Sequence, residues 1–428
     1  MNREASPSAD AGTHCLPASE ANQVAPLPHA GPTFSTSASP AHTPPRLLSL
    51  DVYRGAVMLL LALNGFGVVQ VAKDTDIGWI DWLGFHVSHP VWISQFHVIG
   101  FSAWDMIQPA FMFIVGVAVP YSFAKRMAQG ESRAKFLRHA FGRALLLILL
   151  GVFLQSMRVS ETRWIFINVL SQIGLGYGFL TLLVGRTYRT QMVVAGLVLV
   201  FSWLIYAIYP IAQPIAATAV AVPGQLPGFF GHWSIHANAG WAFDRWFLNL
   251  FPRSEPFETH SGGYHTLNFI SAFVTMLMGL ICGQVLRDSR FTASDKLRRF
   301  VAGGAFCLVL AVLLGWTVCP IVKRAWTPSW TLFSGAYVVW MLALFYWVID
   351  VRGWKGWTFP VVVVGMNPLA MFFMGSTLRG WTVGQFHIHL PGFLFTKPWG
   401  HVMEASLAAF VFWLICLWMY RRKIFLRI

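Results

Sequence analysis

Ten long apolar segments constrain this chain more than any other feature of its sequence. A helix needs roughly 20 apolar residues to cross about 30 Å of hydrocarbon. Segments of about that length lie near 48–70, 104–124, 137–157, 165–185, 190–210, 266–286, 297–317, 329–350, 357–378 and 401–420. Because 56% of the residues are hydrophobic and only 11% are charged, we expect an all-α integral membrane protein with about ten transmembrane helices.

The basic residues predict the orientation of these helices. The formal net charge is +14, and cytoplasmic loops of membrane proteins collect Lys and Arg. Nineteen basic residues lie in 125–143, 186–189, 287–299, 352–355 and 421–428, whereas nine lie in the opposite loops. This imbalance predicts that both termini are cytoplasmic, and it explains the positive charge without a nucleic-acid partner.

The segments outside the helices differ in composition. Residues 1–44 are rich in Ala, Ser, Pro and Thr, which predicts a disordered cytoplasmic tail before a polytopic transmembrane domain at 45–428. The long exported segments at 71–103 and 211–264 carry tryptophans that suit a membrane surface, and they predict a structured cap. The five cysteines lack any CxxC pair, so neither a metal site nor a disulfide framework is expected.

Two charged residues lie near the start of the first apolar segment. Asp51 and Arg54 are three positions apart, so a helix places them on one face. They are explained equally well by an ion pair that fixes the helix end and by a site for the phosphates of a cofactor.

Four amide side chains lie within or at the ends of apolar segments. Asn168 and Gln172 are four apart and share one helix face, Asn268 opens the sixth segment, and Asn367 lies inside the ninth. Hydrogen bonds between helices explain such residues. The alternative is that they line a substrate cavity, because polar groups in a membrane commonly face one.

A histidine and an aspartate lie at the exported end of the second apolar segment. The His97 imidazole titrates near neutrality and can take a proton from an attacking amine or hydroxyl. Ser102 and Asp105 have the S-x-x-D spacing of a helix capping box. Asp105 therefore either caps the helix or takes part in a site with His97.

Several motifs in order resemble the membrane acyltransferases related to heparan-α-glucosaminide N-acetyltransferase, in particular their bacterial branch. The first are "SLDVYRG" at 49–55, His97, and "DMIQPAFMFIVG" at 105–116. The others are "WAFDRWFLNLFPR" at 241–253, "GGYHTLNFI" at 262–270, "TPSWTLFSG" at 327–335 and "VVGMNPLAMF" at 363–372. The likeness extends from about residue 46 to residue 420.

The resemblance implies a transmembrane acyltransferase in a bacterial inner membrane. Acetyl-CoA would be the donor, and an amino sugar or glycan on the non-cytoplasmic side would be the acceptor. His97 would be the catalytic histidine, either as general base or as acetyl carrier, and Asp105 would orient it. Asp51 and Arg54 would then bind the donor, and a substrate cavity would be lined by the amides Asn168, Gln172, Asn268 and Asn367. The sequence leaves open whether the protein forms a homodimer.

Two other functions fit the same sequence. A component of a glycan transporter or flippase would also have many helices interrupted by glycine, although the two halves show no evident internal repeat. A non-catalytic relative is the other alternative. The family usually has an H-x-x-W-x-G element at the histidine loop, whereas only two residues separate His97 from Gly100 here. An assay of acetyl transfer distinguishes the enzyme from both alternatives.

Overall fold

The computed structural model describes residues 47–62, 64–90, 92, 99–100, 102–211 and 224–426. The chain divides into two units, 1–42 and 43–428, and every described residue belongs to the second. The predicted tail and His97 lie outside the described residues, so both stay predictions.

Helices make up most of the described chain. They are α1 Leu48–Ala62, α2 Val68–Asp74, α3 Gly78–His86, α4 Ile107–Ala128, α5 Arg133–Ser156, α6 Val169–Leu182, α7 Tyr188–Ala207, α8 Ala239–Phe247, α9 Asn268–Arg287, α10 Ala293–Thr317, α11 Pro328–Phe345, α12 Phe359–Met366, α13 Pro368–Thr377, α14 Arg379–His389 and α15 Gly400–Arg421. Short 3₁₀ turns at Asn64–Gly67, Ala103–Met106, Gly228–Trp233, Leu248–Leu250 and Gly392–Phe395 join several of them, and a π-helical turn at Tyr346–Val351 extends α11.

The predicted apolar segments correspond to helices of three kinds. Among the described residues, seven helices are long and apolar enough to cross a membrane. Two bent helix pairs raise that number to nine, and α6 is a shorter apolar helix. Every predicted segment coincides with a long helix, a bent pair or α6, so the all-α, multi-pass membrane architecture is confirmed. Length and composition give seven to nine spans among the described residues, so the number of about ten stays a prediction.

The two bends have local causes. The break between α12 and α13 is 82° and lies at Asn367, whose ψ of 54° is not helical. Pro368 follows, and a proline disfavours helical geometry at the residue before it. The 45° bend after α1 contains Gly65 and Gly67, both with a positive φ that glycine adopts without strain. These residues therefore interrupt two otherwise continuous apolar helices.

Helix α4 is fixed mainly by close packing against α9. A Cβ atom on Gly116 would overlap the carbonyl oxygen of Met276, and one on Gly279 would overlap that of Phe113. Small residues let two helix backbones approach closely, which is how membrane helices gain packing energy without a hydrophobic effect. The middle of α4 is therefore packed closely against the middle of α9.

One feature was absent from the predicted all-α fold. Strand β1, Ile99–Gly100, pairs in parallel with β2, Ile321–Val322. The two strands lie in the connections that precede α4 and α11. The predicted cap segments also contain structure, since α2 ends within 71–103, α3 and β1 lie within it, and α8 lies within 211–264. The pairing therefore joins two distant connections beside the beginning of α4.

Candidate active site

Asp105 lies in the 3₁₀ turn that leads into α4 and is almost fully buried. Its Oδ2 atom accepts a hydrogen bond from the backbone N–H of Ser102 at 3.2 Å. The capping box predicted from the S-x-x-D spacing is therefore confirmed. Capping uses one carboxylate oxygen only, so the second oxygen, Oδ1, can serve another contact.

Asp105 Oδ1 contacts one histidine and one lysine. It lies 2.6 Å from Nδ1 of His89 and 3.0 Å from Nζ of Lys323. An ionised carboxylate can only accept hydrogen bonds, so Nδ1 of His89 donates, and in the neutral imidazole Nε2 then carries the lone pair. The His89 side chain is 45% exposed, whereas that of Lys323 is 5% exposed. The arrangement presents an oriented imidazole and a buried, compensated ion pair.

The loop between β2 and α11 determines where Lys323 points. The Trp326 N–H donates to the Lys323 carbonyl oxygen at 2.8 Å, which closes a turn. The Thr327 hydroxyl accepts from the N–H groups of Val322 at 3.1 Å and of Trp330 at 3.2 Å. Thr327 thus caps α11 and fixes the loop at once. Lys323 Nζ is further held by the Tyr264 hydroxyl at 3.3 Å.

Three of the four predicted amide residues hold connections around this region. Asn268 donates to the Arg324 carbonyl oxygen at 2.8 Å. It therefore links the start of α9 to the loop between β2 and α11, residues 323–327, which we call the lysine loop. Gln172 donates to the carbonyl oxygens of Phe166 and Thr266, and Asn168 caps α6. Within the described chain, the buried side-chain oxygens of Asn268 and Gln172 have no hydrogen-bond partner. Such buried acceptors are costly unless a water or ligand satisfies them.

The fourth amide, Asn367, lies at a different place in the fold. Its Nδ2 donates to the Ile424 carbonyl oxygen and its Oδ1 accepts from the Leu426 N–H, both at 3.0 Å. The residue is fully buried at the break between α12 and α13. The structure therefore connects Asn367 to the segment that follows α15, not to the lysine loop.

A second set of buried titratable groups lies between α7, α8 and the connection before α9. Burial raises the pKa of Asp244 to about 6, although the hydrogen bond from the Thr266 N–H, 2.9 Å long, opposes the rise. Burial, together with the neighbouring imidazoles of His236 and His260, lowers the pKa of His265 to about 3. The His265 ring lies 6.4 Å from that of Trp92, so this set lies beside Trp92, three residues after His89 in the sequence.

A cavity of about 410 Å³ runs along one face of α4. We refer to it as the α4 cavity. Seven α4 residues line it, at spacings of three and four that place them on one helix face: Ile107, Phe111, Ile114, Val115, Ala118, Val119 and Ser122. At 1.5 Å per residue this face is about 22 Å long. One end therefore lies two residues from Asp105.

Two arginines also line the α4 cavity. Arg54 lies 3.4 Å from Asp51 Oδ1 and donates to the Gly365 carbonyl oxygen at 3.2 Å. Arg143 donates to the Tyr177 hydroxyl at 3.3 Å, with its guanidinium over the Tyr177 ring. The predicted Asp51–Arg54 ion pair is thus present, and Arg54 lines a cavity as well. Its two proposed roles do not exclude each other.

Three residues became candidates only through the structure: His89, Lys323 and Arg143. Lys323 has no local signal, because it contacts a histidine that is 234 residues away in sequence. Arg143 had one, since it lies inside an apolar segment, where charge is expensive and commonly functional. His89 had one too, because His89 and Trp92 have the H-x-x-W spacing of the family element.

Two known proteins are similar to this chain over most of its length. Heparan-α-glucosaminide N-acetyltransferase of Homo sapiens is 23% identical over 433 residues, and that of Mus musculus is 22% identical over 431 residues. Both alignments cover 90% of this chain. The chain is a distant relative of the heparan-α-glucosaminide N-acetyltransferases. It spans about 60% of the length of these two relatives. No family model matches the sequence.

Proposed function

We propose that this protein is a transmembrane acyltransferase. It moves an acetyl group from acetyl-CoA on the cytoplasmic side to an amino sugar or glycan on the opposite side. The observation that carries the proposal is the α4 cavity, which is lined by two arginines and by Ile107, two residues after Asp105. The names of the two relatives, which describe N-acetyl transfer to heparan α-glucosaminide, support the same reaction class.

The lining of the α4 cavity suits the donor. Guanidinium groups are strong partners for phosphate oxygens, so Arg54 and Arg143 would bind the nucleotide part of acetyl-CoA. The rest of the lining is mostly aliphatic and aromatic, which matches a slender, weakly polar arm. The length of about 22 Å along α4 then lets the thioester reach the region of Asp105.

We assign the general base to His89. Asp105 holds Nδ1, so Nε2 can take the proton of the acceptor amine or hydroxyl. The acceptor nitrogen or oxygen then bonds to the acyl carbon. As the carbon–sulfur bond breaks, the same proton passes to the leaving sulfur. Lys323 balances the charge of Asp105 throughout. An imidazole that carries the acetyl group for a moment is the covalent version of this step.

His97 is the competing assignment, because the order of motifs favours it. His97 lies outside the described residues, so activity assays of variants at the two histidines distinguish the assignments.

The acceptor side is proposed from the polar groups around the lysine loop. Asn268 offers a buried oxygen with no hydrogen-bond partner in the described part of the chain, and such an acceptor suits a sugar hydroxyl or amine. Gln172 offers a second one. The basic-residue count supports cytoplasmic termini and an exported lysine loop, and it therefore favours an acceptor outside the cytoplasm. A bacterial inner membrane is the proposed location.

One experiment tests the function directly. The purified protein in lipid nanodiscs is incubated with radiolabelled acetyl-CoA and a panel of amino sugars and glycans. We expect label on at least one acceptor, with the His89→Asn variant as the negative control. Movement of glycans across vesicles without acetyl transfer would instead support the transporter alternative.

A further inference from the structure

The segment that follows α15 turns back toward the membrane helices. The backbone of Lys423 has a φ of 58°, in the left-handed region. The Ile424 N–H donates to the Met419 carbonyl oxygen at 2.9 Å, and the Lys423 N–H donates to that of Tyr420 at 3.1 Å. These bonds end the helix and redirect the chain. Residues 424–426 therefore leave α15 in a fixed direction.

Asn367 holds this segment as a neighbouring strand would. Its amide donates to the carbonyl oxygen of Ile424 and accepts from the N–H of Leu426, two residues on. A side-chain amide offers one acceptor and two donors, so it satisfies both backbone groups at once. Asn367 is fully buried, which raises the energetic importance of both bonds.

The held segment forms part of the α4 cavity. Leu426 and Met366 line it together with Arg54, and Leu426 is 48% exposed, so it lies at a mouth and not deep inside. Arg421, Arg422 and Lys423 are exposed and precede Leu426 by three to five residues. An extended chain spans at most about 10 to 18 Å over that distance. Three cations are thus held within reach of the mouth.

We propose that Asn367 is a positioning residue for the donor, holding residues 421–426 at the mouth of the α4 cavity. Leu426 completes the wall, and Arg421, Arg422 and Lys423 bind the diphosphate and 3′-phosphate of an acyl-CoA. This inference rests on the proposed function and extends it to the nucleotide part of the donor. The rival explanation is that the three basic residues only set membrane orientation.

The test measures the binding of coenzyme A and of pantetheine, which lacks the nucleotide, to full-length protein in nanodiscs. The variants are Asn367→Ala and the triple change Arg421→Gln, Arg422→Gln and Lys423→Gln. We expect each to weaken coenzyme A binding by about tenfold or more, since charge-assisted hydrogen bonds are lost. The triple change should leave the affinity for pantetheine unaltered and make coenzyme A binding less sensitive to salt.

Two matched controls accompany these variants. Asn249→Ala removes an amide that contacts both backbone groups of Phe257 in the same way, but it lies next to α8. Arg186→Gln with Arg189→Gln removes exposed charge from another predicted cytoplasmic loop. Neither control should change coenzyme A affinity.

The possible outcomes distinguish a failure of this inference from a failure of the proposed function. If the wild-type protein binds coenzyme A and the triple variant binds it equally well, the inference is overturned while the proposed function stands. If the wild-type protein itself fails to bind coenzyme A, the proposed function is overturned as well. The triple variant alters only exposed side chains, so misfolding of Asn367→Ala does not leave the inference untested.

Discussion

Nδ1 of His89 lies 2.6 Å from Oδ1 of Asp105, and Nζ of Lys323 lies 3.0 Å from the same oxygen. One oxygen thus serves an imidazole and a cation, while the other caps α4. Each neighbour has a separate consequence, because His89 is half-exposed and Lys323 is buried. His89 can meet a substrate, whereas Lys323 acts on Asp105.

The first prediction concerns which histidine is the base. His89→Asn should lower the rate of acetyl transfer by about 10²- to 10⁴-fold, because asparagine cannot take up the proton, while coenzyme A binding is retained. Both His89→Asn and His97→Asn are to be assayed under single-turnover conditions. A variant pair in which only His97→Asn loses activity would restore the assignment based on motif order.

The second prediction concerns the buried ion pair. Lys323→Met leaves the Asp105 carboxylate without its cation, and breaking a buried pair typically costs about 3–5 kcal/mol. We therefore expect a clearly lower melting temperature in nanodiscs. Adding Asp105→Asn to Lys323→Met should recover much of the loss, since no charge is then left uncompensated. Equal melting temperatures for wild type and Lys323→Met would contradict the structural role of the pair.

The third prediction concerns the arginines of the α4 cavity. Arg143→Gln removes a guanidinium that contacts Tyr177, and it should weaken coenzyme A binding by about tenfold or more. Arg54→Gln should do the same and also lower thermal stability, because the Asp51 ion pair is lost. Arg133→Gln is the control, since Arg133 is exposed and is not among the lining residues of the α4 cavity. Unchanged affinity in both cavity variants would argue against the donor site.

The fourth prediction is a pH dependence of stability. The folded-state pKa of Asp244 is raised to about 6, above its ordinary value of about 3.9. Its contribution to stability is therefore present below about pH 4 and lost as the pH rises through about 6. Asp244→Asn cannot ionise, so its melting temperature should rise relative to wild type between pH 4 and pH 7.

The difference in melting temperature between wild type and Asp244→Asn isolates the contribution of Asp244. The lowered pKa of His265, about 3, acts in the opposite direction, since its contribution is lost as the pH falls from about 6.5 toward 3. His265 is present in both proteins and largely cancels. A difference in melting temperature that is constant from pH 4 to pH 7 would show that Asp244 does not titrate in this range.

The fifth prediction concerns orientation. Single cysteines are introduced at Gln129 and at Glu255, both exposed. The described native cysteines are free and largely buried, and wild-type protein measures their background. A reagent that cannot cross the membrane should label the cysteine at position 255 in intact cells and the one at 129 only after lysis. The reverse pattern would mean that the predicted topology is inverted.

The sequence by itself determined the features that depend on neighbouring residues. Apolar length located the long apolar helices and the two bent pairs of the described residues, because a helix satisfies its own backbone hydrogen bonds and needs only enough apolar residues to remain in lipid. The S-x-x-D spacing located the capping box of α4, and the i,i+3 spacing located the Asp51–Arg54 pair. These contacts form within one helical turn, so residues that are close in sequence are also close in space.

Only the tertiary structure decided the contacts between distant segments. The pairing of β1 with β2 directs Lys323 toward Asp105, and the packing of α4 against its neighbours shapes the α4 cavity. Asn367 contacts residues 57 and 59 positions away, although the sequence placed it with the other substrate amides. The spacing of residues along one helix carries no information about which helix packs beside it. Partner choice therefore follows from the fit of whole surfaces, such as the glycine faces that join α4 to α9.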